Sequence, residues 1–347
     1  MPAEPTDFHA AAQTREPADA PLALVCEHLA DDLSGLVWRP QPRRALAPRE
    51  VRLRVLRVAL NFPDLLMTQG LYHLRPPLPY VPGMEGVAEV IEAGADAAAT
   101  LHPGQRVCFG AKTGGLAQET VLPASALHPC PAGLSLDEAA AYMVIGLTAW
   151  VALARVGQLR RGETLLVHGA RGGVGIACVQ LGLHLGARVI ATAREPARLA
   201  GLVAQGVTVL ASDEHLADAV LAATGGRGVD VVADPVGGEV FDASLRCAAY
   251  GARLLVLGFA SGQLPKVKLQ RVLNKGLTLH GVRAGEYGRQ WPERAAENAQ
   301  AVTRLAEAGV LRPPVGAVYP LAQALDALRA MRDRQVSGKI VVRVAAD

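Results

Sequence analysis

A chain of 347 residues, half of them hydrophobic, exceeds the size at which one core keeps growing, so two domains are expected. Lys plus Arg number 35 against 32 for Asp plus Glu, the basic residues are scattered and aromatic residues make up 4%, which excludes a nucleic-acid-binding stripe. The five cysteines stand at least 22 positions apart without a Cys-x-x-Cys, a usage that fits a reduced cytoplasmic compartment and disfavours a cysteine-built zinc site.

Residues 1–20 carry Pro, Asp and Glu where a signal peptide would place a basic end and an apolar run, and are expected to form a disordered tail. From about Pro21 to Ala126, short apolar runs such as "VRLRVLRVAL", "GVAEVIEAG" and "QRVCFG" are broken by Pro and Gly. Val51, Leu53 and Val55 alternate with Arg52 and Arg54, the pattern of a strand with one solvated face, so this part is expected to be mostly β. The longest uncharged run, Ala139–Ala154, has 16 residues. That is short of the roughly 20 that cross a bilayer, and a buried helix near a domain junction is expected instead.

After about Leu159 the rhythm becomes apolar strand, turn, helix. Strands are expected at Thr164–Gly169, Ala187–Ala193, Val207–Ala211, Val229–Pro235, Ala252–Gly258 and Leu277–Val282, with helices including Gly173–Leu185, Glu195–Ala204 and Glu239–Ala249. Apolar strands alternating with helices indicate a parallel sheet covered on both faces, hence an α/β doubly wound domain over 150–284. Two amphipathic helices and a last strand, "GKIVVRVA", follow.

The stretch "VHGARGGVG" leaves the first of these strands and opens a helix, the setting a dinucleotide fingerprint requires. Against Gly-x-Gly-x-x-Gly it reads Ala170, Arg171, Gly172, Gly173, Val174, Gly175. Gly172 would let a pyrophosphate approach the backbone, Gly175 would let the helix pack on the strand, and the helix N-terminus supplies N–H donors. After the next strand, where an NAD enzyme places an acid, stand Ala193, Arg194 and Glu195, with Arg198 one turn on. Arginine suits a 2′-phosphate, so NADPH is expected, although Glu195 keeps open the reading of both arginines as solvated helix-start residues.

Together with "NFPDLLMTQGLY" (Asn61–Tyr72), "LPYVPGMEGVAEV", "GLTAW", "DPVGGEVFDASLRC" and "VSGKIVV", this loop makes the chain similar to the medium-chain dehydrogenase/reductase superfamily from about 50 to 343. Within it the chain resembles the zinc-free quinone oxidoreductase and enoyl reductase branch. The resemblance implies a GroES-like β-rich catalytic domain, 21–149 with 285–347, beside a Rossmann coenzyme domain at 150–284, and a homodimer. Zinc alcohol dehydrogenases of this superfamily hold their metal with a Cys and with the His of Gly-His-Glu. Here Asn61 and Met84 stand at those places and the four-cysteine structural lobe is missing, so no metal is expected.

Without a Lewis acid, hydride addition to a quinone or an α,β-unsaturated carbonyl remains feasible, because the product enolate needs only a hydrogen-bond donor and a proton. The resemblance puts Asn61 at the cleft mouth and Tyr72 at the place of a tyrosine thought to bind the substrate oxygen or donate a proton. It puts Thr148, Gly258, Phe259 and Lys339 against the cofactor. Turn-forming, loop-packing, back-bonded and solvated roles respectively are the plainer readings of Asn61, Tyr72, Thr148 and Lys339. Asp64 and Glu85 read as acids that tie loops together, and His168 as a packed residue. The region after the third Rossmann strand, "VTVLASDEH", lacks the tyrosine that family members often place on the 2′-phosphate. Two other activities stay open: an enoyl thioester reductase, which Arg75, Arg283 and Arg289 would suit, and a non-catalytic dinucleotide-binding protein.

Overall fold

The computed structural model describes residues 20–346, so the expected tail lies outside the described residues apart from its last position. Fifteen strands follow in order: β1 (Leu22–Cys26), β2 (Leu36–Pro40), β3 (Glu50–Leu60), β4 (Glu85–Ala93), β5 (Arg106–Gly110), β6 (Glu119–Pro123), β7 (Leu127–Pro129), β8 (Thr164–Val167), β9 (Arg188–Ala193), β10 (Thr208–Ala211), β11 (Val229–Asp234), β12 (Ala248–Val256), β13 (Thr278–Gly281), β14 (Val315–Pro320) and β15 (Lys339–Arg343). They build a two-stranded ribbon and two larger sheets, and the chain is an α/β protein with a GroES-like β-rich part and a Rossmann part.

The Rossmann sheet has six parallel strands in the order β10-β9-β8-β11-β12-β13. Its strand order reverses between β8 and β11, and in open α/β sheets that crevice at the carboxyl ends is where ligands bind. The six expected strands are all present, β12 beginning four residues earlier than its pattern indicates. That early start also ends the preceding helix at Cys247. The expected helix Glu195–Ala204 is instead a 3-10 turn, Pro196–Leu199, followed by a short helix, Ala200–Val203. Pro196 opens the turn, and Gly201 is a weak helix former.

The other sheet runs β14-β15-β3-β4-β5-β7, with β6 also on β3. Here the expected solvated face of β3 is corrected: Arg54 is exposed, but Arg52 and Arg57 are buried. The strand is central, flanked by β15, β4 and β6, so its cations take internal partners. Arg52 pairs with Glu92, and Arg57 Nε donates to Asp137 Oδ1 at 2.8 Å.

The uncharged run falls within helices Leu136–Ala141 and Met143–Trp150 and a π-helical stretch, Val151–Val156, that follows them. Ile145, Ala149 and Leu153 pack there in one core that also takes in Val87 and Val341 from the mixed sheet and Val167 and Ala177 from the Rossmann part. No helix among the described residues is long and apolar enough to cross a membrane.

Candidate active site

Strand β15 returns from the end of the chain to lie antiparallel on β3, pairing Ile340 with Leu60. That register sets Lys339 beside Asn61, the residue that follows β3. The Lys339 side chain is 4% exposed, and its ammonium donates to Leu60 O (2.9 Å), Asn61 Oδ1 (2.7 Å) and Glu85 Oε1 (2.9 Å). All three of its protons are therefore used. Asn61 Nδ2 donates in turn to Glu85 Oε1 at 2.9 Å and, at 3.3 Å, to Ala59 O, while Glu85 Oε2 accepts from the Val144 amide at 2.8 Å. Glu85 is wholly buried, and its charge is tolerated because a cation and two N–H groups face it.

Asp64 supports this centre from below. Its carboxyl accepts from the amides of Asn61 (2.9 Å) and Gly83 (3.0 Å), and complete burial pushes its pKa up to about 7 against those two bonds. From sequence, Glu85 and Asp64 read as loop-tying acids. Asp64 is one, but Glu85 is the counter-ion of Lys339, a pairing that only the β15 register reveals.

The expected dinucleotide loop runs from β8 into helix Gly173–His184. Its three glycines differ in what they permit. A Cβ on Gly175 would collide with Gly169 O and Ala170 Cα, so Gly175 lets the helix sit on the strand. On Gly173 it would lie 2.9 Å from Lys339 Cδ and Ile145 Cγ2, so this glycine admits the lysine stem. On Gly172 the nearest atom would be Gly169 O at 3.4 Å, which leaves the space over the loop open. No side chain caps the helix, and its first-turn amides need acceptors from outside. Ala170 is buried under the loop, whereas Val174 is half-buried.

Arg194 stands exposed just beyond β9 and makes no hydrogen bond among the described residues. Glu195 is occupied instead by Arg198 (2.8 Å) and by Arg171 of the loop (3.2 Å), and the Arg198 bond holds its carboxyl below the usual range. Arg171, not singled out by sequence reasoning, also accepts the Gly338 amide on its carbonyl, linking the loop to the turn before Lys339.

Thr148 donates its hydroxyl to Val144 O at 2.8 Å, the back-bonded geometry of a helical threonine. Gly258 and Phe259 lie beyond β12 at the carboxyl edge of the sheet, with Phe259 42% exposed. His168 is buried between Thr192 Oγ1 (2.9 Å) and Ser244 Oγ (2.7 Å), a packed residue as expected. Tyr72 is half-buried against His73, its ring 4.0 Å away, and its hydroxyl makes no hydrogen bond among the described residues. Burial raises its pKa, while Arg283 and Arg289 pull the other way. Both arginines thus lie near enough to Tyr72 to act on it.

The family described as "Alcohol dehydrogenase GroES-like domain" matches residues 47–132, and "Zinc-binding dehydrogenase" matches 173–301. Quinone oxidoreductase-like protein 2 of Rattus norvegicus is 33% identical over 323 residues, 92% of this chain and 91% of the relative. The quinone oxidoreductase of Thermus thermophilus, solved alone and with NADPH, superposes with a TM-score of 0.80 at 35% identity, covering 93% of this chain and 100% of that one. CurK enoyl reductase superposes with a TM-score of 0.84 at 25% identity, covering 94% and 100%.

Proposed function

The chain belongs to the quinone oxidoreductase and enoyl reductase branch of the medium-chain dehydrogenase/reductase superfamily, and from that premise we propose that it is an NADPH-dependent reductase of quinones or α,β-unsaturated carbonyl compounds. The observation that carries this reading is the nearness of Gly173 to the stem of Lys339, so close that a Cβ on the glycine would lie 2.9 Å from Lys339 Cδ, while the lysine ammonium holds Asn61. It sets the dinucleotide loop wall to wall with the buried polar centre.

The residues present fit a nicotinamide dinucleotide: a helix N-terminus that no side chain caps, an accessible backbone at Gly172 and an exposed cation at Arg194 that makes no hydrogen bond among the described residues. NADPH, when bound, supplies the hydride. The first-turn amides of Gly173, Val174 and Gly175 would hold its pyrophosphate and Arg194 its 2′-phosphate, with Arg198 behind. Thr148, Gly258 and Phe259 would line the nicotinamide end.

Asn61 has both N–H groups and its carbonyl engaged, so the proposed role of Lys339 and Glu85 is to fix Asn61 as a wall of the cleft. Tyr72 has its hydroxyl proton available. Its O–H would donate to the substrate oxygen as negative charge develops there, and burial, which keeps the phenol neutral, preserves that proton. An ammonium saturated by three acceptors, beside the Asn61 amide, is a poor setting for Zn²⁺, and the reading is metal-independent.

An enoyl thioester is the second substrate reading, favoured by Arg283 and Arg289 beside Tyr72, which would attract a phosphorylated carrier. The proposed domain limits are 21–149 with 285–347, and 150–284. The partner expected is a second copy of the chain, and the compartment expected is the reduced cytoplasm.

The test is NADPH and NADH binding by fluorescence, with absorbance assays on 1,4-benzoquinone, a 2-alkenal and crotonyl thioester. NADPH binding with turnover of one of these supports the reading and ranks the substrates. Binding without oxidation by any of them leaves a dinucleotide-binding protein without turnover.

A further inference from the structure

Cys108 and Cys130 belong to no motif and to no part of the proposed site, yet the fold brings them together. Cys108 lies on β5 opposite His128 of β7, and Cys130 follows two residues later on the same face of the ribbon. The Cys108 thiol points at Cys130 Sγ from 3.4 Å and also lies 3.4 Å from Ala139 O. A disulfide needs the sulfurs at about 2.05 Å, so about 1.4 Å of approach separates the dithiol from the bonded state.

The two sulfurs are not equivalent. Cys130 is the one cysteine of the five that is not buried. The hydrogen bond from Cys108 and the field of Arg106 hold its thiol below the usual value, while donation to Cys130 and burial push Cys108 up. Cys130 is thus the nucleophile and Cys108 the resolving thiol. A cavity of about 190 Å³ opens alongside, with Pro129, the residue next to Cys130, and Thr303, the partner of the Tyr142 hydroxyl, in its wall.

We propose that Cys108 and Cys130 are a redox-active dithiol that a hydroperoxide converts reversibly to a disulfide, drawing the lead-in of helix Leu136–Ala141 toward β5. Cys130 thiolate attacks one peroxide oxygen, the O–O bond breaks, and an alcohol or water leaves with a cysteine sulfenic acid formed. Cys108 sulfur then attacks the sulfenic sulfur, the S–O bond breaks, and water leaves carrying the Cys108 proton. Two electrons pass from the thiols to the peroxide, and an external dithiol returns them.

The consequence reaches the polar centre through the chain itself. Cys108 is fixed within the sheet, so Cys130 and the segment that follows it must move. That segment ends at Ser135, which caps helix Leu136–Ala141, and the next helix donates the Val144 amide to Glu85. Closing the disulfide pulls on the element that holds Glu85.

The experiment treats the full chain with hydrogen peroxide, blocks remaining thiols, and maps peptides without reduction. The expected product has lost two hydrogens, joins the Cys108 and Cys130 peptides, and reverts with dithiothreitol. Cys130→Ser and Cys108→Ser, each checked for an unchanged thermal melt, lose this product while Cys178→Ser retains it. Amide exchange at Val144 is expected to accelerate in the oxidised chain. A cross-link between any other pair, or sulfinic acid on Cys130 with Cys108 still reduced, overturns the dithiol. The absence of any cross-link in wild-type protein overturns it equally, and unchanged exchange at Val144 overturns the coupling to Glu85. None of these readouts depends on which substrate the reductase takes.

Discussion

Lys339 Nζ lies 2.9 Å from Glu85 Oε1, with the two side chains 4% and 0% exposed, so neither charge has water to fall back on. Removing one partner of such a pair leaves the other buried and uncompensated, at a cost of about 3–5 kcal/mol. Lys339→Met should therefore be strongly destabilised in urea unfolding. Adding Glu85→Gln should recover part of that loss, because the orphaned charge goes with it. If single and double variants unfold together, the ion pair is not what makes Lys339 matter.

Gly172 precedes the helix and Gly175 lies in its first turn, and they should fail differently. Gly175→Ala drives a methyl into the Gly169 carbonyl and the Ala170 backbone, and overpacking of this kind costs about 1–3 kcal/mol of stability. Gly172→Ala places its methyl 3.4 Å from Gly169 O, an ordinary contact, so its melt should match wild type. NADPH binding should nevertheless weaken by roughly tenfold or more, about 1.4 kcal/mol, because the methyl occupies the approach to the backbone. Wild-type affinity in Gly172→Ala would remove the phosphate from this loop.

Arg194 makes no hydrogen bond among the described residues, whereas Arg198 already serves Glu195. A hydrogen bond to a charged group is worth about 1.5–3 kcal/mol, so Arg194→Ala should weaken NADPH binding by roughly 10- to 100-fold and leave NADH nearly untouched. Arg198→Ala should change either affinity less. Fluorescence titration of both nucleotides decides it: tighter wild-type binding of NADH than of NADPH would make Glu195 the determinant.

Among the described residues the β13 edge of the Rossmann sheet has a neighbour on one side only, and Leu269, Leu273 and Tyr250 nearby are 77, 80 and 84% exposed. An open strand beside apolar side chains is a template for pairing. Light scattering should give twice the chain mass, and Leu273→Glu with Leu269→Glu should give the single-chain mass with little loss of thermal stability. A wild-type monomer would overturn the proposed homodimer.

Much of the architecture is legible along the chain because it is local. The apolar runs from Thr164 onward and the glycines after Val167 carry their own period and punctuation, and all six expected Rossmann strands are present, with β12 starting four residues early. What is not legible depends on register. Lys339 and Asn61 are 278 residues apart, and only the pairing of β15 with β3 joins them. Arg52 reads as solvated because strand alternation says nothing about whether the second face is covered. Cys108 and Cys130, 22 residues apart, fit no spacing rule and meet only through the β5–β7 ladder.

Asp64 offers a test by pH. Its carboxyl is completely buried, and its pKa moves from the ordinary 3.8 up to about 7. A group whose pKa rises on folding contributes stability that is fully present below its unfolded value and is lost as pH rises through its folded one. Wild-type protein should therefore lose about 4 kcal/mol between pH ~4 and pH ~7 beyond what Asp64→Asn loses, at ~1.36 kcal/mol per unit. The variant itself should be less stable at acidic pH, since one of the amides of Asn61 and Gly83 would meet an N–H donor in place of an acceptor. Urea unfolding of both proteins across that window reads the difference directly. A gap that stays constant with pH would mean that the two amide bonds hold Asp64 ionised throughout, with burial outweighed.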